Sequence, residues 1–94
     1  MEDVKIKALI VDDENDFRKL MAFWMKSKGY TVFEASNGQE AVAAAKEAKP
    51  DIIFMDLNMP VMDGNEALKK IREFNKDVPV IIISAYVEDK RAKE

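Results

Sequence analysis

The chain has no cysteine and no histidine among its 94 residues. Without cysteine there is no disulfide framework and no thiolate metal site, and without histidine there is no imidazole ligand or general base. Any metal must be held by oxygen. Only three glycines and three prolines punctuate the sequence, and none of its apolar runs approaches the roughly 20 residues that a membrane span requires. The opening residues Met1-Glu2-Asp3-Val4-Lys5 lack the basic-then-apolar layout of a secretory signal, so a cytoplasmic location is expected by default. The net charge of -3 is small and its contributors are interspersed, which argues against duplex nucleic acid or an anionic membrane as partner. A composition of 48% hydrophobic and 35% charged residues is that of a globular chain, and the length fits one domain spanning residues 1–94.

Three short apolar runs end on polar residues that can do chemistry. Ala8-Leu9-Ile10-Val11 stops at Asp12-Asp13, Ile52-Ile53-Phe54-Met55 at Asp56, and Val80-Ile81-Ile82-Ile83 at Ser84. Runs without alternation fit strands buried on both faces, which belong to parallel sheets covered by helices. Parallel strands finish at one edge, where open α/β sheets place their ligands.

Helical spacing fills the gaps. Phe17, Leu20, Met21, Trp24 and Met25 mark one face of a first helix, expected to be core, and Gly29 stands where a left-handed terminating residue is wanted. Residues 30–35 read as a strand closed by the turn Ser36-Asn37-Gly38. An alanine-rich helix follows over 39–49, with Ala41, Ala44, Ala45 and Ala48 toward the sheet, and Pro50 ends it. The next strand begins at Asp51. A loop over 57–64 leads to a third helix over 65–75, whose inner face is expected to be Leu68, Ile71 and Phe74, and then to a strand over 80–84. Residues 86–94 form a charged tail with helical propensity, in which Lys90, Arg91 and Lys93 read as a solvated face. There is no repeat, no low-complexity tract and no internal linker.

This alternation predicts an α/β fold, a doubly wound parallel sheet with helices on both faces. With the first strand central, Asp12, Asp13 and Asp56 line one crevice between the first and third strands. Three neighbouring carboxylates repel unless one holds a proton or a cation enters. The donor set favours Mg²⁺, which binds through one or two carboxylates and keeps waters that phosphate oxygens can replace. The first turn is acidic, not glycine-rich, which disfavours a nucleotide or flavin cradle. Asp12 and Asp13 could instead serve only as a helix cap or dipole partner, and Ser84 only as a strand-end hydroxyl.

Four motifs in order, Ile10-Val11-Asp12-Asp13-Glu14, Ser36-Asn37-Gly38-Gln39-Glu40-Ala41, Met55-Asp56-Leu57-Asn58-Met59-Pro60 with Met62-Asp63-Gly64, and Ser84-Ala85, resemble the receiver domain of two-component response regulators. The resemblance implies a flavodoxin-like sheet of strand order 2-1-3-4. It makes Asp56 the phosphoacceptor for a sensor histidine kinase or phosphotransfer protein. It also makes Asp13 a direct Mg²⁺ ligand, Asp12 its partner largely through water, and the Asn58 backbone carbonyl a further ligand. Ser84 matches the hydroxyl that bonds a phosphoryl oxygen, and the small Ala85 leaves room beside it. Such a protein is no turnover enzyme, although it assists its own phosphotransfer and dephosphorylation. An aspartyl-phosphate hydrolase of haloacid-dehalogenase type is the weaker alternative, because Asp56-Leu57-Asn58 lacks that group's second acid.

Receivers also have a fifth strand and helix, with a lysine ending that strand, and the 94 residues contain no counterpart. The role is not carried onto Lys90 or Arg91. A pseudo-receiver that binds partners without taking phosphate is therefore a second expectation. The strand over 80–84 is expected to be an exposed apolar edge through which the chain self-associates, by strand pairing or by exchange of the 86–94 tail.

Overall fold

Four parallel strands lie in the order second, first, third, fourth, set by crossovers that move first to one side of the first strand and then to the other. The structure is a computed structural model and describes residues 5–57, 59 and 62–83. Its elements run β1 (Lys7–Val11), α1 (Asn15–Ser27), β2 (Thr31–Ala35), α2 (Gly38–Ala48), β3 (Ile52–Met55), α3 (Gly64–Phe74) and β4 (Val80–Ile82). The α/β class, the parallel sheet and the strand order are those expected from the sequence. Ser84 and the 86–94 tail lie outside the described residues, as does Asn58.

Register decides where the polar strand ends meet. Val11 pairs with Ala35 on one side and with Met55 on the other, and Met55 pairs with Ile82. Asp12, Ser36, Asp56 and Ile83 therefore follow at one edge. Side chains alternate across the sheet. Leu9, Val11, Ile53 and Met55 pack with Ala41 and Ala45 of α2 and with Ala67 and Ile71 of α3. Ala8 and Ile10 pack on the opposite face with Ala22 and Met25 of α1. Alanine on α2 permits close approach, and α2 and α3 also touch each other.

Helix ends follow local chemistry. Asn37 accepts from the Glu40 N–H at 2.8 Å and Asp63 from the Glu66 N–H at 2.9 Å, capping α2 and α3. Gly29, at φ +99°, closes α1 in the left-handed region, while the Tyr30 N–H reaches back to the Met25 carbonyl at 3.2 Å. At the other end of α2, Lys49 takes the left-handed φ of 52°.

Two expected helix faces are corrected. Of the α1 stripe, only Met25 is buried and Met21 half-buried, whereas Phe17, Leu20 and Trp24 are exposed. The inner side is Arg18, Ala22 and Met25, because the guanidinium of Arg18 finds partners beneath the helix and turns it toward the sheet. On α3, Ala67 and Ile71 are buried and Phe74 is exposed, with the Lys46 ammonium 5.4 Å from its ring centroid.

Candidate functional site

The carboxyl edge of the sheet gathers three acids. Asp12 follows β1 and Asp56 follows β3. Their backbone N–H groups continue the ladder, Asp12 donating to Ala35 O at 3.1 Å and Asp56 to Val11 O at 3.0 Å. Strand pairing thus fixes both before any side chain acts. Asp13 stands one residue on, at the mouth of the crevice. One carboxylate oxygen from each of Asp12, Asp13 and Asp56 lies within 4.8 Å of the other two. Asp12 and Asp56 are only 6% and 4% exposed, and Asp13 is open to solvent.

The electrostatics suit a cation. Burial pushes the Asp12 carboxyl above the ordinary carboxylate range, with the neighbouring Asp13 charge adding to it; the Glu14 N–H and Arg18 oppose. A charge on the cluster is therefore costly until something positive shares it. All donors are hard oxygen, two of them buried, so the residues fit a small divalent ion such as Mg²⁺. Asp12 does not cap α1, whose N-cap is Glu14 with no side-chain cap bond; its Oδ1 instead accepts from the Glu14 N–H at 2.9 Å, an Asx-type turn that leads into the helix.

Arg18 is the site residue that sequence reading missed. It is buried and donates to Asp12 O at 2.8 Å, to Glu34 Oε1 at 2.9 Å and to Asn15 Oδ1 at 2.6 Å. Those three bonds tie the β1–α1 turn to β2, so Arg18 positions Asp12 and Asp13 without touching a ligand. Burial works to raise the Glu34 carboxyl, but bonds from Arg18 and Lys19 hold it below its ordinary value. The available signal was spacing, since Arg18, Ala22 and Met25 fall at i, i+4 and i+7. Gly64 is the second positional element: a Cβ there would meet Asp56 O at 2.6 Å and Leu57 Cα at 2.8 Å. Its backbone must approach the Asp56 turn closely, and its N–H donates to Leu57 O at 3.1 Å.

Of the predicted site residues, Asp12, Asp13 and Asp56 come together as expected. Asn58 and Ser84 lie outside the described residues. No helix of the described residues is long and apolar enough to cross a membrane.

Fold and site define a class: a doubly wound α/β domain with a cation-ready acidic notch at the carboxyl edge, between β1 and β3, where its strand order reverses. A family profile described as the response regulator receiver domain matches residues 8–94, and the chain belongs to that family. It is 42% identical over 83 residues to the transcriptional regulatory protein ResD of Bacillus subtilis (strain 168), covering 88% of this chain and 34% of ResD. Among solved structures it resembles a chain of the CheX-CheY-BeF3-Mg+2 complex from Borrelia burgdorferi. There the identity is 36% and the TM-score 0.82, covering 94% of this chain and 68% of that one. It also resembles the response regulator protein TrrA of Thermotoga maritima in complex with Mg(2+)-BeF. Identity is 31% and the TM-score 0.82, over 92% of this chain and 75% of that one. The chain thus spans about a third of the curated regulator and more of the solved receivers.

Proposed function

We propose that this chain takes a phosphoryl group onto Asp56 within a two-component system, from the phosphohistidine of a sensor kinase or phosphotransfer protein. The observation that carries the reading is the meeting of three carboxylate oxygens, from Asp12, Asp13 and Asp56, within 4.8 Å at the sheet's carboxyl edge. An Asp56 oxygen forms the new bond to phosphorus while the bond from phosphorus to the donor nitrogen breaks, and the electron pair leaves with the imidazole. The product is an acyl phosphate. Asp12, Asp13, Asp56 and the Asn58 backbone carbonyl would hold Mg²⁺, which when bound offsets the negative charge gathered around the transferring group.

The chain's own residues supply position. β3 aims Asp56 along the crevice, Arg18 fixes the turn that carries Asp12 and Asp13, and Gly64 leaves space behind Asp56. Ser84 is assigned the hydroxyl that bonds a phosphoryl oxygen. The chain acts as a phosphoacceptor and not as a turnover enzyme, and it works in the cytoplasm. The similar CheX-CheY-BeF3-Mg+2 complex of Borrelia burgdorferi and the Mg(2+)-BeF complex of TrrA support an acyl-phosphate site and a protein partner. At β4, Ile81 and Ile82 are exposed, which supports strand pairing with a second copy at that edge.

Intact mass after treatment with acetyl phosphate and Mg²⁺ tests the central step. The expected result is one phosphoryl adduct, lost with EDTA and in Asp56→Asn. An unmodified mass under all conditions would overturn it in favour of the pseudo-receiver reading.

A further inference from the structure

The first turn of α2 is a stiff block. Asn37 Oδ1 accepts from the Glu40 N–H at 2.8 Å, and Glu40 Oε1 accepts from both the N–H and the hydroxyl of Ser36 at 2.8 Å. Ser36 follows β2, whose last residue, Ala35, accepts from the Asp12 N–H at 3.1 Å. The block is therefore tied to the strand ends that carry the acids. Gly38 is the first helical residue in it, buried, and its N–H donates to Met62 O at 3.0 Å. A Cβ at this position would overlap the Met62 carbonyl oxygen and stand 2.8 Å from both the carbonyl carbon and the Cβ of Met62. Backbone conformation does not demand glycine here, since Gly38 does not take a left-handed φ. Alanine is the better helix former, so the approach of Met62 is what excludes a side chain.

We propose that Gly38 is a positioning residue for Asp56, holding through Met62 and Gly64 the turn on which the phosphoacceptor stands. Only Asp63 separates Met62 from Gly64. Gly64 is itself a bare contact: its N–H donates to Leu57 O at 3.1 Å, and a Cβ there would lie 2.6 Å from Asp56 O. Asp63 holds the link between them by accepting from the Glu66 N–H at 2.9 Å at the start of α3. Two backbone-to-backbone contacts in series thus run from α2 to the Asp56 turn, with no side chain at Gly38 or Gly64 to absorb a change. Met55 and Met59 are buried in the core beside them, and Met62 packs against it. Close-packed segments transmit a displacement instead of absorbing it. A methyl at Gly38 would push Met62 away, and Gly64 would carry the shift to Asp56.

This role rests on the reading of Asp56 as phosphoacceptor, and it adds a residue that touches neither metal nor phosphoryl group. Misplacing a reacting group by about 1 Å can cost roughly 10²-fold in rate. A contact that served only the packing of α2 on α3 would change stability and leave that rate alone.

The test compares the parent, Gly38→Ala and Asn37→Ala, the last of which loses the cap of the same helix but keeps the spacing to Met62. Intact mass followed in time, at saturating Mg²⁺ and fixed acetyl phosphate, gives the rate of adduct formation. Amide NMR spectra without Mg²⁺ report the position of the Asp56 turn. Gly38→Ala should slow the adduct by roughly 10²-fold and displace the amide signals of Asp56, Leu57 and Gly64. Asn37→Ala should match the parent in rate and at those three signals. Where circular dichroism shows Gly38→Ala unfolded, Met62→Gly takes its place: it slackens the link without a clash and should slow the adduct roughly tenfold. A folded Gly38→Ala that reacts at the parent's rate, or leaves those signals unmoved, would overturn the role. So would equal slowing by Asn37→Ala or, in the unfolded case, a Met62→Gly rate equal to the parent's. A parent that takes no phosphoryl group would overturn the reading of Asp56, and this role with it.

Discussion

Arg18 and Asp12 hold opposite ends of one trade. Arg18 is a buried cation satisfied by Glu34, Asn15 and the Asp12 carbonyl. Arg18→Met keeps the apolar volume and removes all three bonds, leaving the Asp12 carbonyl and Glu34 without this partner. Loss of about 1–3 kcal/mol is expected, read by urea denaturation. Asp12 is the converse, since burial and Asp13 hold its carboxyl above the ordinary value in the folded chain. A folded state that binds the proton more tightly gains stability from this group at low pH and loses it as pH rises through the raised value. Without divalent ions, Asp12→Asn should therefore be more stable than the parent at neutral pH. That advantage should shrink to nothing on acidification below the ordinary carboxylate range. Thermal melting in EDTA across pH reads both parts, and an advantage that grows in acid would contradict the assignment.

At the scale of elements, the strands were legible because β1 and β3 contain unbroken apolar runs; β1 is buried on both faces over Ala8 to Val11, whereas on β3 Ile53 and Met55 are buried and Ile52 and Phe54 only half-buried. The acids at their ends followed from strand direction alone. Helix caps were partly legible: the turn at Ser36-Asn37-Gly38 was evident, and the structure adds that Asn37 caps α2 while Glu40 accepts from both Ser36 N–H and Ser36 Oγ at 2.8 Å. Asn37→Ala should cost about 1 kcal/mol, as should Asp63→Ala at α3, measured by chemical denaturation. The inner side of α1 was not legible. Its apolar residues cover more than one side, and pattern alone cannot say that a charged Arg18 goes inward, because its partner Glu34 lies on another element and Asp12 receives its bond through a backbone carbonyl. Phe74 misled for a related reason: the small Ala67 allows α3 to approach the sheet, and Phe74 then lies at the rim under Lys46. Asn58 and Ser84 were read from motif alone and lie outside the described residues.

For the whole molecule, one physical claim joins fold to function. A sheet that reverses its winding at β1 sets the ends of β1 and β3 side by side, and brings their carboxylates within 4.8 Å of one another, a repulsion that a divalent ion would relieve. Binding to the folded state alone must stabilise it by mass action. The most direct measurement is calorimetric titration of Mg²⁺ into the chain and into Asp13→Asn and Asp56→Asn, with melting temperature followed alongside. The expected result is one saturable site whose filling raises the melting temperature, abolished by either substitution. Equal binding in all three proteins, or no effect of Mg²⁺ on the parent, would contradict the claim.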